Sequence, residues 1–250
     1  IGKKGRSVVH WMDPPTVARI REFDLQFVCF HAHFSYPTNS MRANANLVLV
    51  GPSCVLVPYR NEHVDVYHGW MRDPQLREAT ASEPLTLQEE FEMQQSWSKD
   101  ETKCTFIVCV PGADEEGGAE KNTMVGDVNL FWNDHESVNT AEIEIMIAEP
   151  VARRKGIAQQ ALRMMMAYAI KDHGVNKFVA KIGFDNGESQ NLFRKMGFAE
   201  TSTSDVFRER TLSFRVRKDD AGLMNEVETT WAQVSREKYD DEEDNSDNGA

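Results

Sequence analysis

The 250-residue chain is short of cysteine, of sustained apolar runs and of positive charge, and each shortage excludes something. Its four cysteines, Cys29, Cys54, Cys104 and Cys109, never fall in C-x-x-C spacing, so neither a thiolate metal cage nor a dithiol redox pair is expected. They are read as reduced core residues, with Cys104 and Cys109 on opposite faces of one strand because they lie five apart. No apolar stretch approaches the ~20 residues that cross a bilayer, so no membrane partner is expected. Twenty-eight basic residues face forty acidic ones, a net charge of −12. That balance argues against a general nucleic-acid binder, whose affinity rests on neutralising phosphates. Residues 237–250 supply six of those twelve negative charges, and the rest of the chain is only mildly acidic. Nor is there a G-x-x-x-x-G-K-[ST] phosphate loop or a G-x-G-x-x-G turn.

What is present divides into three. Residues 1–40 carry basic residues, Pro14-Pro15 and an aromatic run to Phe34, with no apolar segment leading to a small-residue cleavage site. They are expected to be a disordered extension or a non-native start, with Met41 the candidate first residue. Residues 41–236 have the patterning of one globular domain. Residues 237–250 read as a disordered acidic tail, too charged to bury.

Within 41–236 the spacing predicts one or two strands over 47–57, then a helix over 61–71 capped by Asn61. A second helix over 85–97 opens on Thr86, with Glu89 in capping-box position. Strands follow at 104–110, 124–132 and 141–148, then a long helix at 156–173 closed by Gly174. A strand at 177–182, a helix at 187–196, two strands at 199–207 and 210–217, and a helix at 219–234 complete the order. This is a mixed α/β (α+β) domain with an antiparallel half and a late βαβα segment. The runs at Met164–Met166 and the tryptophans Trp70, Trp97 and Trp132 are read as core or groove wall. His63 and His68, five apart, are not spaced to share a metal, and no metal is expected. His173 at a helix end reads as a favourable cap.

One junction carries chemistry. Residues 146–158 join a strand to a helix through Arg153, Arg154, Lys155, Gly156, Ile157 and Ala158. A helix start exposes unpaired N–H groups and the positive end of the helix dipole, which together favour an anion. Gly156 lets a phosphate approach the backbone, and Ala158 keeps the next contact small. A solvated basic turn capping a helix would show the same hexamer.

Downstream stands Asn186-Gly187-Glu188-Ser189-Gln190-Asn191-Leu192-Phe193-Arg194-Lys195-Met196-Gly197-Phe198. The two segments, with a strand between them, resemble the signatures of the GNAT acetyltransferase superfamily. Residues 80–87, 124–131 and 142–150 further resemble its eukaryotic N-acetyltransferase 9 branch, the likeness covering about 41–217. The resemblance implies a mostly antiparallel twisted sheet of about seven strands, flanked by helices and splayed at a central parallel pair. It implies acetyl-CoA as co-substrate, with backbone groups of Met146, Ile147 and Ala148 pairing with the pantetheine arm. The N–H groups of Arg153 to Ala158 would hold the pyrophosphate, and Asn186 with Ser189 would meet the cofactor near its thiol. It implies a protein or peptide amine as acceptor, α/β-tubulin among the branch's substrates, and a cytoplasmic enzyme with the nucleus open as a second compartment.

The reaction needs a group to take the amine's proton. Glu142 and Glu144, two apart on a strand, share one face, and either is a candidate base or a solvent-facing structural residue. Many relatives carry Tyr at the place of Phe193 as the acid for the leaving thiolate, a role that Phe cannot fill. Asp127 is a candidate groove-lining residue. Three readings stay open here: a protein α-amine acetyltransferase, a small-amine (polyamine-like) acetyltransferase, and a GNAT-fold binding scaffold with little turnover.

Overall fold

The computed structural model describes residues 44–111, 122–132, 139–217 and 219–239. Residues 1–43 and 240–250 lie outside it, and with them Met41, Cys29 and most of the acidic tail.

Nine strands form one sheet in the order β7-β8-β6-β5-β4-β3-β2-β1-β9. In chain order they are β1 (Leu47–Val50), β2 (Val55–Pro58), β3 (Lys103–Pro111), β4 (Asn122–Phe131), β5 (Thr140–Ile147), β6 (Lys177–Gly183), β7 (Ala199–Ser204), β8 (Glu209–Arg215) and β9 (Ser235–Lys238). The helices are α1 (Val64–Met71), α2 (Pro74–Ala79), α3 (Leu87–Lys99), α4 (Ile157–His173), α5 (Gly187–Lys195) and α6 (Ala221–Ala232). Among the described residues every pairing is antiparallel except β5 with β6. The count exceeds the expected seven because 47–57 makes two strands and 235–238 adds another. Glu237 and Lys238, assigned to the tail from their charge, therefore belong to the domain. Backbone pairing to the open edge of β1 holds them there, and their side chains stay exposed.

Alternation along the strands builds two cores. One face carries Phe106, Val128, Leu130, Ile143, Phe178 and Leu212 under α4, with Met164, Met165 and Tyr168 fully buried. The opposite face carries Val57, Ile107 and Met146 under α1, with Tyr59, Tyr67 and Trp70. Cys104 falls in the first core and Cys109 in the second, and both are free buried thiols, as is Cys54.

Two local expectations need correction. Asn61 does not cap α1: residues Asn61–His63 form a 3-10 turn, and the Arg60 N–H donates to His63 Nδ1 at 3.0 Å. His63 thus supplies the acceptor that opens the turn, and α1 begins at Val64. His173 lies in the last turn of α4 as expected, but burial against Tyr168 and Trp132 lowers its pKa and so works against a cationic cap. Among the described residues no helix is long and apolar enough to cross a membrane.

Candidate active site

The site lies where the sheet fails to close. β5 and β6 pair only over Thr140–Glu142 with Lys177–Val179. Beyond that, β5 stays with β4 as far as Ile147, and β6 stays with β8 as far as Gly183, so the two part. A bulge in β4 accompanies the parting: Val108 faces Gly126 while Cys109 faces Met124, which leaves Val125 unmatched. The Val125 carbonyl then accepts the N–H groups of both Ala148 (2.8 Å) and Glu149 (3.2 Å), ending the strand. Gly126 is required here, because a methyl at that position would overlap the Met146 carbonyl oxygen.

The Ala148 bond sets the phase of β5. Along an antiparallel ladder, alternate residues turn both backbone groups to the same neighbour. Ala148 and Met146 therefore address β4, and Ile145 and Ile147 address the opening. By this phase Ile147, one of the three residues expected to meet a pantetheine arm, turns its backbone groups toward the opening, and Ile145 does the same. The reason is the bulge, which no spacing rule in the sequence reveals.

Arg153 is also not the free phosphate ligand expected. Its Nε donates to the Ile147 carbonyl (2.9 Å), its Nη2 to the Ala148 carbonyl (3.0 Å), and its own N–H to the Pro150 carbonyl (3.2 Å). It braces the end of β5 against the turn. Arg154 and Gly156 both adopt left-handed backbone (φ 61° and 82°), a sharp reversal that presents the first turn of α4. Ile157, Ala158 and Gln159 have no preceding turn to receive their N–H groups, while Arg154 and Lys155 stand exposed beside them. This end of a 17-residue helix fits a pyrophosphate.

The other lip is the end of β6 and the start of α5. Asn186 caps α5, its Oδ1 accepting the Ser189 N–H at 3.1 Å, at the end of α5 that follows β6. Gln190, which sequence reading passed over, fastens α5 to this lip by donating to the carbonyls of Gly183 (2.9 Å) and Phe184 (3.0 Å). Phe193 is only 2% exposed and packs edge-on against Phe198, so it belongs to the core rather than to the opening. With α4 and α5 both starting beyond the carboxyl ends of the splayed parallel pair, the arrangement is a ligand crevice of the kind open α/β sheets form.

On the α1 face of the sheet, polar side chains lie in two cross-strand rows: Lys103 and Glu142 on either side of Phe131, and Thr105, Asn129 and Glu144. Asp127 continues the face and is buried. Its Oδ2 accepts from Asn129 Nδ2 (2.8 Å) and from the Tyr67 hydroxyl (3.3 Å), while Thr105 donates to Asn129 Oδ1 (2.6 Å). Glu142 and Glu144 share this face as expected, but their surroundings differ. Glu142 takes Lys181 Nζ at 2.8 Å. Glu144 is pushed up to about 7, chiefly by burial and then by the neighbouring Glu142 charge. Burial likewise raises Asp127 and brings Lys103 down to about 7. Lys103 had not been singled out, since its partners come from other elements.

A profile described as "Acetyltransferase (GNAT) domain" matches residues 54–199. The "N-acetyltransferase 9-like protein" of Nematostella vectensis is 52% identical over 175 residues, covering 70% of this chain and 88% of that protein. The human "Alpha/beta-tubulin-N-acetyltransferase 9" is 46% identical over 183 residues, covering 72% of this chain and 88% of its own. Among solved structures, a ribosomal L7/L12 α-N-protein acetyltransferase in complex with coenzyme A superposes with a TM-score of 0.55 at 17% identity, covering 68% of this chain and 98% of that one. Spermidine N-acetyltransferase from Vibrio cholerae, in complex with coenzyme A and spermine, gives 0.53 at 16% identity, covering 68% and 96%. The fold and the site define an acetyl-transferring enzyme, and the chain belongs to the GNAT acetyltransferase family. Within that family it falls in the N-acetyltransferase 9 branch.

Proposed function

We propose that this enzyme transfers an acetyl group from acetyl-CoA to the N-terminal α-amine of a protein, tubulin being the acceptor named for its relatives. The observation that carries the reading is Glu144, a partly buried carboxylate near neutral pKa on the strand that borders the opening. An α-amine has an ordinary pKa of about 8 and a lysine side chain about 10.4, so a base near 7 is matched to the former. Acetyl-CoA supplies the activated thioester. The first turn of α4 would hold its pyrophosphate, Ile145 and Ile147 would offer backbone groups to its arm, and Asn186 and Ser189 would meet it near its thiol. Glu144 accepts the amine's proton, directly or through one water, as the nitrogen bonds to the acetyl carbon and the C–S bond breaks, coenzyme A leaving as its thiolate.

Coenzyme A release with tubulin N-terminal peptides, internal lysine peptides and spermidine tests this. The N-terminal peptides are expected to give the highest kcat/KM, and preferential turnover of spermidine would establish the small-amine reading instead. That second reading rests on the fold shared with the spermidine enzyme.

A further inference from the structure

We propose that Lys103 is a positioning residue of the transfer, holding Glu144 in its proton-accepting form from across β4. The proposal rests on Glu144 being the base. Lys103 opens β3 at the register position opposite Phe131, whose other neighbour is Glu142 of β5. Its ammonium stands 2.7 Å from the centroid of the Trp97 ring and 4.5 Å from that of Phe131. Lys103 thus leans over β4, roofed by α3, into the face that Glu144 occupies, and it is 6% exposed. Burying an ammonium is costly without compensating charge. The two rings attract a cation and the carboxylates of Glu144, Asp127 and Asp100 favour the charged form, but burial outweighs them and brings Lys103 down to about 7, so its charge acts on Glu144 at and below neutral pH.

Glu144 needs such a cation. Glu142 on its own strand and Asp127 on β4 are like charges that favour its protonated form. Of the opposing cations, Lys181 on β6 is paired to Glu142 at 2.8 Å and shares that region with Glu209 on β8. Of the two lysines that favour the charged form of Glu144, Lys103 has the larger effect. Without it, Glu144 faces two carboxylates with only a committed lysine nearby, holds its proton to higher pH and stops accepting one from substrate.

The test is the pH profile of kcat/KM for acetylation of an N-terminal peptide by the full chain. In Lys103→Met the acid limb should move up by about one pH unit or more, so that the loss at pH 6.5 exceeds the loss at pH 8.5 about tenfold. Lys103→Arg, which keeps the charge, should return the limb toward its original place. An equal loss at every pH, or a limb that does not move, would overturn the proposal. Should the methionine variant lose its cooperative melting transition, Lys103→Gln carries the same test. Glu144→Gln separates the two readings: if it retains both turnover and the limb, the base assignment fails and the proposal with it. If it is inactive while the Lys103→Met limb stays put, only the role of Lys103 is overturned.

Discussion

Glu142 and Glu144 are two residues apart on the same face of one strand, yet their neighbours give them different work. Glu142 is tied to Lys181, while Glu144 is held near neutral by burial. Glu144→Gln should lower kcat by about 10²–10⁴, the range for removing a general base, and Glu142→Gln by less than about tenfold. Equal losses in steady-state assays would make Glu144 one structural carboxylate among others. At the cofactor end, Gly156 has open space around its missing side chain, so Gly156→Glu meets no steric obstacle. Its cost to the fold is the left-handed backbone, about 1 kcal/mol. The new carboxylate would project at the anion-binding helix start, and affinity for acetyl-CoA should fall at least about a hundredfold by calorimetry. Unchanged affinity would move the pyrophosphate elsewhere.

At the scale of elements, local chemistry was legible where it is self-contained. Thr86 and Glu89 form the reciprocal cap that their spacing announces, with Glu89 Oε2 accepting the Thr86 N–H at 2.7 Å. Thr86→Ala should cost about 1 kcal/mol and lower Tm by a few degrees. A Tm that does not move would mean that packing of α3, not its cap, governs the helix. The long α4 and its Gly174 end were equally readable, and Glu142 with Glu144 could be assigned to one face by parity alone. β9 could not be read. Ser235–Lys238 has the composition of a solvated tail and becomes a strand only because β1 leaves an edge open. Tyr239 then donates to Glu62 Oε1 at 2.7 Å and lies under Arg60, a fastening between residues 177 apart in sequence. The same limit hid the direction of Ile145 and the surroundings of Lys103. One depends on a bulge in another strand and the other on register across three.

Over the whole molecule, protonation links stability to activity in opposite senses. Glu144 and Asp127 have folded pKa values above their ordinary ones, so the folded state holds their protons more tightly than the unfolded chain does. Both contributions favour folding in acid and fade with rising pH, that of Glu144 through about 7, where the proposed base would become able to accept a proton. kcat/KM should therefore climb through pH 7. Glu144→Gln should be more stable than the parent at pH 8 by about 1–3 kcal/mol, with the gap narrowing toward pH 5. Calorimetric Tm values at several pH values check this, and a gap independent of pH would remove Glu144 as its source. On the proposed role of Glu144, acetyl transfer would draw on a carboxylate that the fold would be more stable without.

The parting of β5 from β6 also has a signature in time. Backbone amides inside a fully paired sheet exchange with solvent deuterium only when the sheet opens, whereas those of Ile145 and Ile147 face a gap that no strand fills. These two should exchange early in the free enzyme, out of step with Ile143 deeper in the paired region. Adding coenzyme A should slow them selectively, as though a tenth strand had been laid into the sheet.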